Sequence, residues 1–253
     1  MDLIDYKRLC VNRKQLRVGI LAAFGVMSLA MSNAWAALSV DQSRYIFEGD
    51  KEAVSIVVEN ASPKTYGGQT WIENIKETDL RPTFVVTPPF FKVPGNGKQV
   101  LRVIKALEQM PEDKESIYWV SLQEIPPKNK DGGLSVALRT KVKLLYRPAS
   151  LMDGRKNAET GLSTKIIDGQ TQLVNTTPYI FAIADVLGEN DASLPFDDKQ
   201  HEALAMFAPG DTVTLPKGTT AKKVVSIDDL GHLGTHTLTG KVGSTDVGAK
   251  DAK

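Results

Sequence analysis

The sequence predicts an all-β chain: an immunoglobulin-like sandwich followed by a second β-domain. Three observations lead there. Short runs rich in branched and aromatic residues recur along the chain. Turn-forming Gly, Pro, Asn and Asp separate them. No stretch of three helical turns carries a clear 3.6-residue apolar stripe.

Residues 1–36 stand apart. Lys7, Arg8, Arg13, Lys14 and Arg17 make a basic start, residues 18–31 (VGILAAFGVMSLAM) an apolar run, and Ala34-Trp35-Ala36 a small-x-small cleavage pattern. About 14 apolar residues are too few for a membrane span, which needs about 20. The segment reads as a cleavable secretory signal with a mature start at Ala37, and no stable membrane insertion of the mature chain is expected. Removing it takes the chain from a formal charge of +1 to −2, which argues against a general nucleic-acid partner. The single cysteine, Cys10, leaves with the signal, so the mature chain has no disulfide, metal thiolate or thiol nucleophile. The remaining 217 residues suffice for a core without them.

Strand-like segments then follow in order: LSVDQSRYIF from Leu38, AVSIVVEN from Ala53, GGQTWIEN from Gly67, TFVVTPPFF from Thr83, KQVLRVI from Lys98, SIYWVSLQEI from Ser116, and LSVALRTKVKLLYRP from Leu134. About seven strands in about 110 residues is the count of an immunoglobulin-like sandwich. In the last of these, Leu134, Val136, Leu138, Val142 and Leu144 fall on one face. Ser135, Ala137, Arg139, Lys141 and Lys143 fall on the other. The first face is built for burial, and alternation alone leaves open whether Leu134, Val136 and Leu138 fill the chain's own core or meet a partner. The second carries three cations, which need water or an anion.

After Pro148 a polar stretch, ASLMDGRKNAETG, suits a hinge. Strand-like runs resume at Leu162, Tyr179, Glu202 (EALAMFA), Asp211, Ala221 and Thr235. The expected division is signal 1–36, first domain 37–150, second domain 151–242, and a small, polar, disordered tail 243–253.

Catalytic chemistry is hard to find. His232 and His236 are spaced i, i+4, but their setting, LGHLGTHTLTG, favours turn or strand, where that spacing defines no chelating pair, so both read as surface or turn residues. PGNGK at 94–98 lacks the full phosphate-loop spacing and reads as a hairpin turn. Asp228 and Asp229 are adjacent and make no natural acid and base pair. No serine lies in a G-x-S-x-G elbow. The chain reads as a non-enzyme with no cofactor and no metal.

SRYIFEG, QTWIEN, FVVTPPFFKVPGNGKQVLRVI, MPEDKESIYWVSLQEIPP, LRTKVKLLYRP, NTTPY and IDDLG occur in the order and spacing of the periplasmic pilus chaperones, the PapD-like family, which the chain resembles over nearly all of its mature length. The resemblance implies two immunoglobulin-like β-sandwich domains set at an angle with an interdomain cleft. It implies a periplasmic chaperone that completes the fold of pilus or fimbrial subunits by donor-strand complementation and delivers them to an outer-membrane usher. Leu134, Val136 and Leu138 would be the donor strand, lying at a sheet edge. Arg44 and Lys143 would anchor the subunit's C-terminal carboxylate. Glu115, Arg147 and Asp229 would form an interdomain charge network that fixes the cleft, and Arg139 and Lys141 are left as solvated edge charges.

The short segment PPKNKDGG resembles the short-loop subclass of the family, associated with rod-like pili. NTTPY stands where the family has NPTPY, and the end of the second domain is weakly matched. Self-association of the free chain, and the identity of its subunits, stay open. The alternative is a structural pilus subunit or secreted adhesin, which would instead be a single incomplete domain and often carries a disulfide. A secreted β-sandwich hydrolase would need a clustered catalytic set that the sequence does not display.

Overall fold

The computed structural model describes residues 36–75, 82–107, 110–128, 134–167, 169–239 and 243–244. All of the expected signal but Ala36 lies outside them, as do residues 129–133 of the short loop and 245–253 of the tail.

The first half builds two facing sheets. One contains β1 (Leu38–Val40), β3 (Ala53–Asn60), β7 (Lys98–Lys105) and β5 (Phe84–Thr87), in the order β1-β3-β7-β5. The other contains β2 (Arg44–Glu48), β9 (Arg139–Arg147), β8 (Ser116–Ile125), β4 (Tyr66–Asn74) and β6 (Phe90–Val93), in the order β2-β9-β8-β4-β6. Alternating side chains from both sheets interdigitate in one core, among them Phe47, Ile56, Phe84, Leu101, Tyr118, Val142 and Leu144. Phe84 is its hub, with ring centroids 5.0 Å from Phe47 and 4.9 Å from Tyr118.

Four expectations need correction here. LSVDQSRYIF is two strands, because β1 pairs with β3 in one sheet and β2 with β9 in the other. TFVVTPPFF likewise splits at Pro88-Pro89, where no N–H can continue a ladder. PGNGK is a turn but not a hairpin, since β6 and β7 lie in different sheets. Gly95 is needed there, because a Cβ would fall 2.1 Å from the Pro63 carbonyl oxygen. Finally, LSVALRTKVKLLYRP is a strand only from Arg139; residues 134–138 form no ladder.

The second half contains two smaller sheets. One runs β13-β11-β10-β16, from β13 (Thr212–Thr214), β11 (Gln170–Val174), β10 (Ser163–Ile167) and β16 (Gly243–Ser244). The other runs β12-β14-β15, from β12 (Ala182–Leu187), β14 (Lys223–Ile227) and β15 (Leu233–Thr237). Gly243 and Ser244, expected in a disordered tail, pair in parallel with β10. Leu173, Phe181, Val186, Phe207 and Val224 centre a separate core.

EALAMFA, expected as a strand, instead closes a two-turn helix, α1 (Asp198–Ala205). Its start is fixed by a reciprocal capping box: Gln200 N donates to Asp197 Oδ1 (2.8 Å), and Asp197 N donates to Gln200 Oε1 (3.0 Å). Leu204 then turns inward, and Phe207, past the helix, bridges to Phe181.

Phe84→Ala is expected to lower stability by about 3–5 kcal/mol, because the emptied site lies between two sheets that cannot both collapse onto it. A shift of the denaturant midpoint checks this.

Candidate functional site

β9 gathers the site because its neighbours change along its length. β8 pairs with it antiparallel from Arg139 to Tyr146. On its other side β2 pairs in parallel, beginning with Arg44 opposite Lys143 and ending with Glu48 opposite Arg147. Among the described residues Arg139–Val142 therefore have a neighbour on one side only, and the sheet has a free edge there that ends at Arg44.

The face of β9 that carries Lys143 also carries Leu145, and from there on it is covered. Ile117 and Leu145 pack with Ile180 and Ala208 of the second half, flanked by Ile46, Ile75 and Met206. Lys143 lies at the margin of that contact, half-buried, and its Nζ donates to the Ala205 carbonyl at the end of α1 (2.6 Å). A cation suits the negative end of a helix. Arg44, beside it in the register, donates through Nη1 to the Ile227 carbonyl (3.1 Å), while its Nε is buried without a protein partner.

Neither cation makes an ion pair among the described residues. Burial pushes Arg44 below its ordinary value, and Asp229 and Asp228 partly offset this. Burial lowers Lys143 too, and the Arg44 charge adds to the effect. Two adjacent, partly desolvated cations with donors to spare make an anion-binding position whose planar and compact donors both suit a carboxylate.

The third cation of the region is treated in the opposite way. Arg147 Nε donates to Glu115 Oε1, and its Nη1 and Nη2 reach Asp229 Oδ2 (2.7 Å) and Oδ1 (3.1 Å). The second Glu115 oxygen accepts the Ile180 N–H (2.7 Å). Burial pushes the Glu115 carboxyl up, against the pull of Arg147. For Arg147, burial acts downward, but the bonds to Asp229 and the charge of Glu115 hold the guanidinium above its ordinary value. The bridge joins the first half at β9 to the turn after β14.

Leu134, Val136 and Leu138 are 90%, 62% and 43% exposed, outside the core that Val142 and Leu144 of the same parity enter. Arg139 and Lys141, expected as solvated charges, are paired: Arg139 Nη2 lies 2.8 Å and Lys141 Nζ 3.2 Å from Glu73 Oε2. They also lie over the Trp71 and Trp119 rings, at 4.5 and 5.9 Å. Burial pushes the Glu73 carboxyl up, but hydrogen bonds from Ser121, Lys141 and Arg139 outweigh it and bring it down to about 2.

A buried cluster in the second half has no motif to announce it. Glu159 accepts from Ser226 Oγ (3.1 Å) and Arg155 (3.0 Å), with His236 Nδ1 at 4.0 Å. His236 is thus half-buried on β15 and not a surface residue. His232 is exposed in the turn that Asp228 caps. Thr176 Oγ1 donates to the Gly161 carbonyl (2.9 Å). Among the described residues no group of three His, Cys, Asp or Glu side chains is placed to hold a metal, and no helix is long and apolar enough to cross a membrane.

Comparison with known proteins gives the arrangement its relatives. Residues 37–152 match the family described as "Pili and flagellar-assembly chaperone, PapD N-terminal domain". The chain is 49% identical to chaperone protein FaeE of Escherichia coli over 244 residues, 96% of this chain and 93% of that one. It is 48% identical to chaperone protein ClpE of Escherichia coli over 241 residues, 94% and 90% of the two chains. Among solved structures, the periplasmic chaperone SfaE superposes with a TM-score of 0.64 at 30% identity, covering 81% of this chain and 100% of that one.

Two outcomes test the charges. Arg147→Ala leaves Glu115 buried without its cation and is expected to cost about 3–5 kcal/mol in chemical denaturation. For Glu73, whose carboxyl is depressed, the stabilisation relative to Glu73→Gln is full above about pH 4.5 and is lost as the pH falls toward about 2. Melting temperatures of both chains across that range measure the difference.

Proposed function

The chain belongs to the PapD-like family of pilus-assembly chaperones, and on that premise we propose that it is exported to the periplasm, loses residues 1–36, and captures pilus or fimbrial subunits in its cleft. Members of this family are assembly chaperones and not enzymes, so the functional chemistry is recognition.

The observation that carries the reading is the pair Arg44 and Lys143, side by side and, among the described residues, without an ion-pair partner, at the point where the free edge of β9 ends. A subunit strand laid along that edge meets Arg44 at its end. If the last residue of the subunit stops there, its terminal carboxylate receives donors from both cations and the strand runs parallel to β9, as β2 does beyond it. The carboxylate thereby sets the register, and register decides which subunit positions face Leu134, Val136 and Leu138.

Those three exposed side chains then act as the donor strand. An incomplete subunit exposes apolar core and unpaired backbone groups, and an added strand answers both needs. The Glu115–Arg147–Asp229 bridge serves as the brace that keeps the two cations at the cleft. Delivery to an outer-membrane usher, where another subunit's segment replaces the donor strand, completes the cycle. Exchange of one set of strand contacts for another requires no nucleotide.

Co-purification from the periplasm with the subunits encoded beside this gene tests the reading. The wild type is expected to hold subunits in one-to-one complexes. Each charge-assisted hydrogen bond contributes about 1.5–3 kcal/mol, so Arg44→Ala and Lys143→Ala are each expected to weaken capture by about tenfold to a hundredfold. Capture unchanged in both variants would remove the carboxylate anchor.

A further inference from the structure

A buried carboxylate on β8 stands apart from the site above. Glu124 is 5% exposed, and among the described residues it has no ion-pair partner. Its Oε1 accepts the backbone N–H of Leu38 (2.8 Å), and its Oε2 accepts the backbone N–H of Leu138 (3.3 Å). The Leu138 carbonyl in turn accepts the Glu124 N–H (2.9 Å) and Gln123 Nε2 (3.1 Å). One side chain thus ties the first strand of the fold to the residue where the ladder of β9 gives way to the exposed segment 134–138.

A buried charge without a counter-charge is costly. Ala37 is the residue before Leu38, about 3.8 Å away from Cα to Cα. The Ala61 N–H fixes its carbonyl (2.9 Å). In the uncut chain the Ala37 nitrogen is a neutral amide. Hydrolysis of the Ala36–Ala37 bond by a peptidase of the export route consumes one water: the hydroxyl goes to the Ala36 carbonyl and the hydrogen to the Ala37 nitrogen. The resulting amine is protonated at neutral pH, and it belongs to the residue next to Leu38, whose N–H Glu124 Oε1 already accepts.

We propose that Glu124 is a positioning residue whose counter-charge is the N-terminal ammonium of Ala37. Removal of residues 1–36 supplies that charge, and the pair holds Leu138, the base of the donor segment, against β8. The segment is then fully anchored only in the processed chain. This rests on the donor-strand reading for its functional consequence, but not for the ammonium–carboxylate pair itself.

The test uses the exported protein and three variants: Gly-Ser inserted between Ala36 and Ala37, Glu124→Gln, and the two combined, with mass spectrometry to verify cutting after Ala36. The insertion alters no side chain of the fold and only moves the ammonium outward. Amide exchange at Leu138 in the free protein is expected to rise by about tenfold in each single variant, and no further in the combination, because both changes remove one interaction. Wild-type exchange in the insertion variant overturns the proposal and leaves Glu124 holding backbone N–H groups alone. Subunit capture is read separately: raised exchange with unchanged capture keeps the ammonium–carboxylate pair and discards the donor role of the segment.

Discussion

Among the described residues β9 has a neighbour on each side only from Lys143 to Tyr146, and the rest of the molecule is arranged around that fact. β2 can reach β9 because the chain leaves the first sheet between Val40 and Arg44. Its first residue then marks where the sheet edge becomes free. An open edge is normally a liability, and charged side chains on it are a common defence. Arg139 and Lys141 meet that description, yet both are tied to Glu73 and stacked on tryptophans, so the edge is stiffened as well as charged. A stiff, free edge is what an incoming strand can use as a template.

The charges of the cleft divide by whether they are satisfied. Arg147 has two carboxylates and contributes geometry: desolvation offsets much of its Coulomb gain, so its value lies in the one arrangement of the two halves that satisfies it. Arg44 and Lys143 lie a few residues away, are also partly desolvated, and among the described residues donate to backbone carbonyls without an ion pair. Keeping two like charges adjacent is unfavourable in the free protein, and under the proposed function the subunit's carboxylate relieves that cost. Under the same proposal, the braced cation holds the unbraced ones in place.

Much of this was legible in the sequence. Alternation placed Val142 and Leu144 in the core, and turn residues separated most strands correctly. The resemblance to a family, and not spacing or charge, singled out Arg44, Lys143 and the Arg147 bridge. Periodicity does not register a strand that changes sheets, so the switches near Asp41 and Pro88 were read as continuous segments. α1 is too short for a helical stripe, and its capping box, D-x-x-Q at Asp197 and Gln200, was the one readable signal. With the helix unseen, the carbonyl that receives Lys143 was unseen too. The partners of Glu73 and Glu124 come from distant strands, and no local pattern joins a carboxylate to an N–H 86 residues away.

The absence of a ladder at residues 134–138 fits the cycle proposed for the chain. A donor strand already locked in the free protein would bind with little ordering cost and release with difficulty. Ordering five residues costs about 5–10 kcal/mol of backbone entropy. Burying Leu134, Val136 and Leu138 in a subunit groove returns about 1.5–3 kcal/mol each. The two terms nearly cancel, which leaves the main-chain bonds and the carboxylate anchor to decide capture. Such a complex is held firmly enough to shield a subunit, yet a competing strand that buries slightly more can displace it segment by segment. Under the proposed cycle, the lack of a ladder at residues 134–138 and the paired register of Arg139–Arg147 serve one task, and Leu138, held by Glu124, is where one gives way to the other.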